Sequence, residues 1–179
     1  NDRELRMEPA QLMAYLRSLR AEEIQRIEIV PTAGADHDAD AAGVAEQRFG
    51  AGKDVDGVIV LLTFGTGIGS AVIHHGLLLP NTEFGHIEVE GKEAEHRAAS
   101  SVKEIRGWSY ERWTREVTKV LVAVENAIWP DLIIVGGGIS RKADKWVPLL
   151  GNRTPVLAAA LQNSAGIVGA AMAAADAAL

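Results

Sequence analysis

The sequence predicts an α/β domain built on a mixed sheet, and three features carry that expectation. Residues 58–63 form a near-continuous apolar run, as in a strand buried on both faces. Residues 68–79 alternate around His75 and Gly76, the pattern of an antiparallel hairpin. Residues 110–128 place Trp113, Val117, Val120, Leu121, Val124 and Ile128 on one helical stripe ahead of another apolar run at 132–135. Helical and strand-like segments alternate, which is the signature of layered α/β packing.

In chain order, residues 8–26 read as a helix, with Leu12, Met13, Leu16, Leu19 and Ile24 near one face and Pro9 suited to its first turn. Residues 27–30 read as a short strand, and 31–36 as a turn-rich break. A helix over 38–49 follows, with Ala41, Ala42 and Ala45 on one side, ended by Gly50 and Gly52. The strands at 58–63 and 68–74 flank a loop at 64–67, and the hairpin returns through 77–79. A further strand is expected at 86–89. Helix runs from 98 to 129 with a break near Gly107, and Pro130 stops it. After the strand at 132–135, three glycines lead into a helix through Ser140. Residues 154–156 read as extended, and 166–178 as an Ala-rich helix.

Composition narrows the function classes. The chain has 179 residues, 47% of them hydrophobic, enough for a buried core. Its net charge of -6 argues against a nucleic-acid binder, and it requires an anionic ligand to be held by a local site. There are no cysteines, which excludes disulfides, thiolate zinc sites and cysteine catalysis and fits a cytoplasmic location. No apolar run is long enough to span a bilayer, so no membrane partner is expected. The amino end carries no signal peptide and no initiator Met, so a fragment or a processed product is expected.

Four clusters can carry chemistry. Thr63, Phe64, Gly65, Thr66 and Gly67 form a glycine loop between two strands; it reads either as a phosphate cradle, with backbone N–H groups and hydroxyls as donors, or as a ligand-free turn. It is neither a Walker loop nor a dinucleotide fingerprint. Gly136, Gly137 and Gly138 lie between a strand and a helix, where either close ligand approach or tight packing would call for glycine. Asn81, Thr82, Glu83, Gly85, His86 and Glu88 gather amide, carboxylate and imidazole groups, suited to sugar hydroxyls or to a merely solvated loop. A metal site using His86, Glu88, Glu95 or His96 is the weaker reading, since no His-Glu-x-x-His helix occurs. Asp38 is either a helix cap or a general base for a hydroxyl proton.

Taken together, these segments resemble the ROK sugar kinases. The segments are Asp38-Ala39-Asp40-Ala41-Ala42-Gly43, residues 62–70, Pro80-Asn81-Thr82-Glu83-Phe84-Gly85-His86 and Gly136-Gly137-Gly138-Ile139-Ser140. Residues 81–86, 95–100 and 139–144 are most similar to the actinobacterial polyphosphate glucokinase branch. The resemblance covers roughly 38–172. It implies the carboxyl-terminal lobe of an actin-like, ribonuclease H-like kinase with a mixed sheet flanked by helices. It further implies transfer of a phosphoryl group from polyphosphate or ATP, with Mg²⁺, to the glucose 6-hydroxyl.

In that family frame Asp38 is the base, and Glu83, His86 and Glu95 bind the sugar. Thr63, Gly65, Thr66 and Gly67 form the second phosphate loop, and Gly136, Gly137 and Gly138 the nucleotide loop. Partners are glucose, the phosphoryl donor and a second copy in a homodimer, with no zinc because the family's cysteine cluster is absent. His37 stands where the family usually has a sugar-binding Asn, so it joins the expected substrate-binding residues. The family's opening Asp-x-Gly-Gly-Thr turn has no counterpart in 1–36. A division into an atypical leader at 1–36 and a sugar-binding, catalytic lobe at 37–179 is therefore expected. The competing expectation is a non-catalytic or degenerate sugar-binding module.

Overall fold

The computed structural model describes residues 35–161, with side chains from Ala39 onward. The elements expected at 8–26, 27–30 and 166–178 lie outside the described residues.

Helix α1 (Ala35–Phe49) leads into β1 (Val58–Phe64), β2 (Ile68–His74) and β3 (Leu77–Leu79). A 3₁₀ turn (Phe84–His86) precedes the two-residue strands β4 (Glu88–Val89) and β5 (Lys92–Glu93). Three helices follow: α2 (Ala94–Ala98), α3 (Ser100–Ile105) and α4 (Tyr110–Ile128). Strand β6 (Leu132–Gly136), 3₁₀ turns over Gly138–Lys145 and Val147–Leu149, and β7 (Val156–Ala158) complete the described chain.

The main sheet has the order β3-β2-β1-β6-β7. β1 pairs antiparallel with β2 and parallel with β6, and β6 pairs parallel with β7, so the sheet is mixed as expected. The β1–β2 register runs from Val58 opposite His74 to Phe64 opposite Ile68, and the loop at 65–67 closes that hairpin. His75 and Gly76 turn β2 into β3 with φ of 48° and 78°, the left-handed pair that a type I′ turn requires.

One face of the sheet buries Val60, Leu62, Phe64, Val72, Ile133 and Val135 against Trp113, Val117, Val120, Leu121 and Val124 of α4. The stripe read from the sequence is therefore the core stripe. Ser109 caps α4, accepting from the Arg112 N–H, and the helix ends at a left-handed Trp129 (φ 47°) ahead of Pro130. Phe64, Trp113 and Trp146 meet edge-to-face, with centroids 4.9–5.9 Å apart. The other face buries Ile59, Leu61, Ala71, Ile73, Leu132 and Ile134. There α1 lies close to the sheet: a Cβ on Gly43 would stand 2.7 Å from Ala71 Cβ.

The structure corrects several local expectations. The strand expected at 86–89 is reduced to two residues, because His86 belongs to a 3₁₀ turn and the chain reverses at Glu90 and Gly91 (φ 51° and 75°). Helix begins at Ala94 rather than 98 and is broken twice before α4. After Gly138 the chain forms 3₁₀ turns, not an α-helix. The Ser140 N–H and hydroxyl both donate to the Gly137 carbonyl, and Lys142 leaves helical geometry (φ -116°, ψ 27°). Helix α1 starts three residues before Asp38, so Asp38 sits inside its first turns rather than at its cap.

Candidate active site

Parallel strands place their carboxyl ends side by side, and in open α/β sheets ligands bind beyond those ends. β1 and β6 are such a pair, and Thr63 lies opposite Gly136. The glycine loops that follow the two strands are therefore neighbours, although they are far apart in sequence.

Packing explains the glycines. A Cβ on Gly136 would meet Thr63 Cγ2 at 3.3 Å, and one on Gly137 would strike the Phe64 backbone. Gly137 also needs its positive φ of 81°. Close packing thus accounts for Gly136 and Gly137. Gly65 and Gly138 face open space, so the backbone of both loops is exposed at this end of the sheet.

Both loops are tied down from below. The Ser100 hydroxyl donates to the Gly65 carbonyl (3.0 Å) and the Ser101 hydroxyl to the Thr66 carbonyl (2.8 Å). The Ser101 N–H also donates to Gly65 O, while Gly65 N–H donates to Gly67 O. Beneath them the Trp113 indole N–H donates to Ala98 O at 2.9 Å and the Trp146 indole N–H to Ile139 O at 3.3 Å. The aromatic cluster is thus the floor of both loops.

The sugar-type cluster sits beside this end. The Ser70 hydroxyl donates to Thr82 O at 2.6 Å and accepts from the Phe84 N–H at 2.9 Å, fixing the loop that carries Glu83 onto β2. The Asn81 N–H donates to an Asp40 carboxylate oxygen at 3.3 Å, which ties the same loop to α1. Gly85 is buried where a Cβ would strike Ile68 O, so His86 follows a backbone pressed onto the start of β2.

The structure brings His86 and Glu95 together. Ligand atoms of His86, Glu93 and Glu95 lie within 4.8 Å of one another, and the Glu95 carboxylate packs over Gly67. Glu95 thereby joins the imidazole cluster to the β1 loop. The His86 imidazole is held above its ordinary pKa of 6.5, chiefly by its hydrogen bond to Glu93, then by the charges of Glu95, Glu93 and Glu83. That influence places Glu83 in the same electrostatic neighbourhood. Such a cluster also has the spacing to hold a cation.

Asp38 and His37 lie on α1, but their side chains are outside the described residues. Their helix does reach the site: Ala39, the next residue, is buried 3.2 Å from the position a Gly69 Cβ would take, beside Thr63. The hollow lined by Gln47, Lys53, Asp54, Asp56 and His75 lies at the opposite end of the sheet, near the start of β1.

Sequence reasoning missed Glu93, and it named His96 only in the weaker metal reading. Glu93 Oε2 lies 3.5 Å from His86 Nδ1 and 3.4 Å from His96 Nδ1, and His96 Nε2 lies 3.7 Å from Glu95. The i,i+3 spacing of Glu93 and His96 was a visible signal, but only for a helix starting at 94. Ser70, Ser100 and Ser101 were also missed, since their partners are distant in sequence.

Comparison with known proteins points the same way. Residues 23–100 match the model of the ROK family. That stretch carries the ROK family pattern. Over 137 residues the chain is 76% identical to a polyphosphate glucokinase of Mycobacterium tuberculosis, covering 76% of this chain and 52% of that protein. A polyphosphate glucokinase of Mycobacterium leprae is 74% identical over the same length and is covered to 42%. The chain thus spans about half the length of the curated relatives it matches. Among solved structures it is similar to an inorganic polyphosphate/ATP-glucomannokinase from Arthrobacter sp. strain KM, with TM-score 0.76, 48% identity, and coverage of 78% of this chain and 55% of that one. A ROK family glucokinase from Streptomyces griseus superposes at TM-score 0.66 with 24% identity, covering 78% of this chain and 67% of that one, a likeness of fold alone. The mixed sheet flanked by helices is the actin-like ATPase fold of ROK sugar kinases.

Proposed function

We propose that this domain binds glucose and passes a phosphoryl group to its 6-hydroxyl, the donor being the Mg²⁺ complex of polyphosphate or ATP. The observation that carries the reading is the meeting of two glycine loops at the carboxyl ends of β1 and β6, with Glu95 packed on one of them and clustered with His86. Phosphoryl transfer asks little covalent chemistry of a protein. It asks for alignment of acceptor and donor and for neutralisation of charge on the transferred group.

In this arrangement Glu83, His86 and Glu95 bind sugar hydroxyls, with His37 at the approach from α1. A carboxylate accepts from two adjacent hydroxyls, which fixes the ring and turns the 6-hydroxyl toward the donor. Asp38 accepts the hydroxyl proton as the oxygen attacks. Backbone N–H groups and hydroxyls of Thr63, Gly65, Thr66, Gly67, Gly136, Gly137 and Gly138 hold the donor phosphates. The Gly65 N–H is already spent inside its loop, so the load falls on the remaining donors of that loop. The reading includes a leader at 1–36, a lobe at 37–179, a cytoplasmic homodimer and no membrane contact. Among the described residues no helix is long and apolar enough to cross a membrane.

The test is formation of glucose 6-phosphate by the chain, measured with ATP and then with polyphosphate. Turnover is expected, and Asp38→Asn should abolish it while leaving glucose binding intact. Near-normal turnover in that variant would remove Asp38 as the base. Glucose binding without turnover would favour a non-catalytic module, and no glucose binding at all would reject the reading.

A further inference from the structure

Glu93 closes β5 and stands at the start of α2, yet no hydroxyl or phosphate chemistry is assigned to it above. Its carboxylate oxygen meets the Nδ1 atoms of two imidazoles, His86 at 3.5 Å and His96 at 3.4 Å. Both rings are more than half exposed, and the Glu93 side chain is 45% exposed, so the pair lies within reach of a ligand. A long-lived geometry at such an exposed place needs a rigid frame, because a lone surface contact is worth little.

The frame is present. The β4–β5 hairpin turns at Glu90 and Gly91 and is closed by the Ala94 N–H donating to Ile87 O at 2.9 Å. The Arg97 guanidinium donates to Val89 O at 2.9 and 3.2 Å and pairs with the buried carboxylate of Glu116 on α4. Lys119 of α4 holds Glu90 at 2.6 Å. On the other side Gly85 is pressed onto β2, which fixes the backbone before His86. Two anchored segments therefore present Glu93 and His86 to each other.

We propose that Glu93 is a positioning residue for the sugar site: it holds the neutral His86 ring as the Nδ1–H tautomer, leaving Nε2 as the acceptor for a sugar hydroxyl. The inference rests on the reading of His86 as a sugar ligand. The chemistry is that of a histidine whose second nitrogen is oriented by an acid, where the hydrogen bond at one nitrogen fixes the role of the other. His96 Nδ1 meets the same Glu93 oxygen at 3.4 Å, and its Nε2 meets Glu95 at 3.7 Å, so Glu93 is itself kept in place. The charged groups around the ring are Glu83, Glu93, Glu95 and His96, with Glu88 opposite Glu93 in the β4–β5 ladder.

The test compares Glu93→Ala with Glu93→Gln in the same chain. The glutamine carbonyl still accepts from Nδ1–H, whereas alanine offers no acceptor. Nitrogen-15 correlation spectra at alkaline pH are expected to show His86 protonated at Nδ1 in the parent and in Glu93→Gln, and shifted toward Nε2–H in Glu93→Ala. Glucose titration by calorimetry at the same alkaline pH is expected to show a dissociation constant raised about three- to tenfold in Glu93→Ala and within about twofold in Glu93→Gln, the size of one net hydrogen bond. An unchanged tautomer in Glu93→Ala would overturn the proposal with the sugar-site reading intact. A shifted tautomer with unchanged glucose binding would overturn it through failure of that reading itself.

Discussion

The two faces of the sheet are packed by opposite means. On the α4 face large side chains fill the layer: Phe64, Trp113 and Trp146 are fully buried and meet edge-to-face. On the α1 face the sheet still offers Ile59, Leu61, Ile73 and Ile134, but the helix meets it with small residues: Gly43 comes close to Ala71 and Ile73, and Ala39 close to Gly69. Bulk contributes apolar burial and rigidity, so the α4 face supports both glycine loops from below. Closeness contributes precision, since a helix set almost backbone-to-sheet has little room to shift. The face carrying Asp38 and Asp40 is the close one. Two buried glutamates then pin the edge strand β7 from opposite sides. Glu125 of α4 accepts from the Thr154 N–H and Asn152 before β7, and Glu46 of α1 accepts from the Ala160 and Leu161 N–H groups after it.

This contrast can be broken first at its bulky side. Trp113→Ala is expected to cost about 3–5 kcal/mol in denaturant unfolding, because it empties the aromatic layer and orphans Ala98 O. A loss under about 1 kcal/mol would show that the layer is not the main store of stability.

Glu46→Gln and Glu125→Gln are each expected to cost about 1–3 kcal/mol, since an amide nitrogen would face backbone N–H groups left without an acceptor. At Glu125, and at Glu116, burial by itself would raise the pKa. Hydrogen bonds outweigh it, from Thr154 and Asn152 in the first case and from Arg112 and Arg97 in the second, so both carboxyls stay below the ordinary 4.5. A depressed folded pKa contributes stability that is present above the unfolded value and is lost as pH falls through the folded one. The thermal midpoint is therefore expected to hold steady from neutral pH to about 5 and to fall below it. Glu125→Gln should flatten part of that acid limb, and an unaltered limb would deny Glu125 its share.

Gly43→Ala sharpens the comparison at the close face. Alanine improves the helix by about 0.5–1 kcal/mol, but its Cβ would crowd Ala71 Cβ at 2.7 Å and Ile73 Cδ1 at 3.0 Å. Overpacking costs about 1–3 kcal/mol, so a net loss of about 1 kcal/mol is expected by thermal unfolding. A gain would mean that α1 has slack. The smallest effect is expected at Gly65, which faces open space. Gly65→Ala should leave stability within about 0.5 kcal/mol, so any large change in phosphoryl-donor affinity there would report the ligand rather than the fold.

Much of this was legible in the chain itself. The β1–β2–β3 meander, the core stripe of α4 and both glycine junctions lie where apolar periodicity and turn residues place them, because neighbours in sequence decide them. Local pattern failed at Ile87 and Val89, which look like a strand but are cut short by the Glu90–Gly91 turn. It failed again after Gly138, where the Ser140 hydroxyl competes for the Gly137 carbonyl and draws the chain into 3₁₀ turns.

The sequence alone determined the elements, their order and the residue types available for phosphate and sugar, because periodicity, turn chemistry and side-chain chemistry are properties of short segments. Only the tertiary structure decided that Thr63 lies beside Gly136, that Glu95 covers Gly67, and that Glu93 stands between two imidazoles. Those contacts depend on the parallel pairing of β1 with β6 and on the hairpin held by Arg97. Register and docking of that kind are set by the packing of whole layers, which no short window of residues contains.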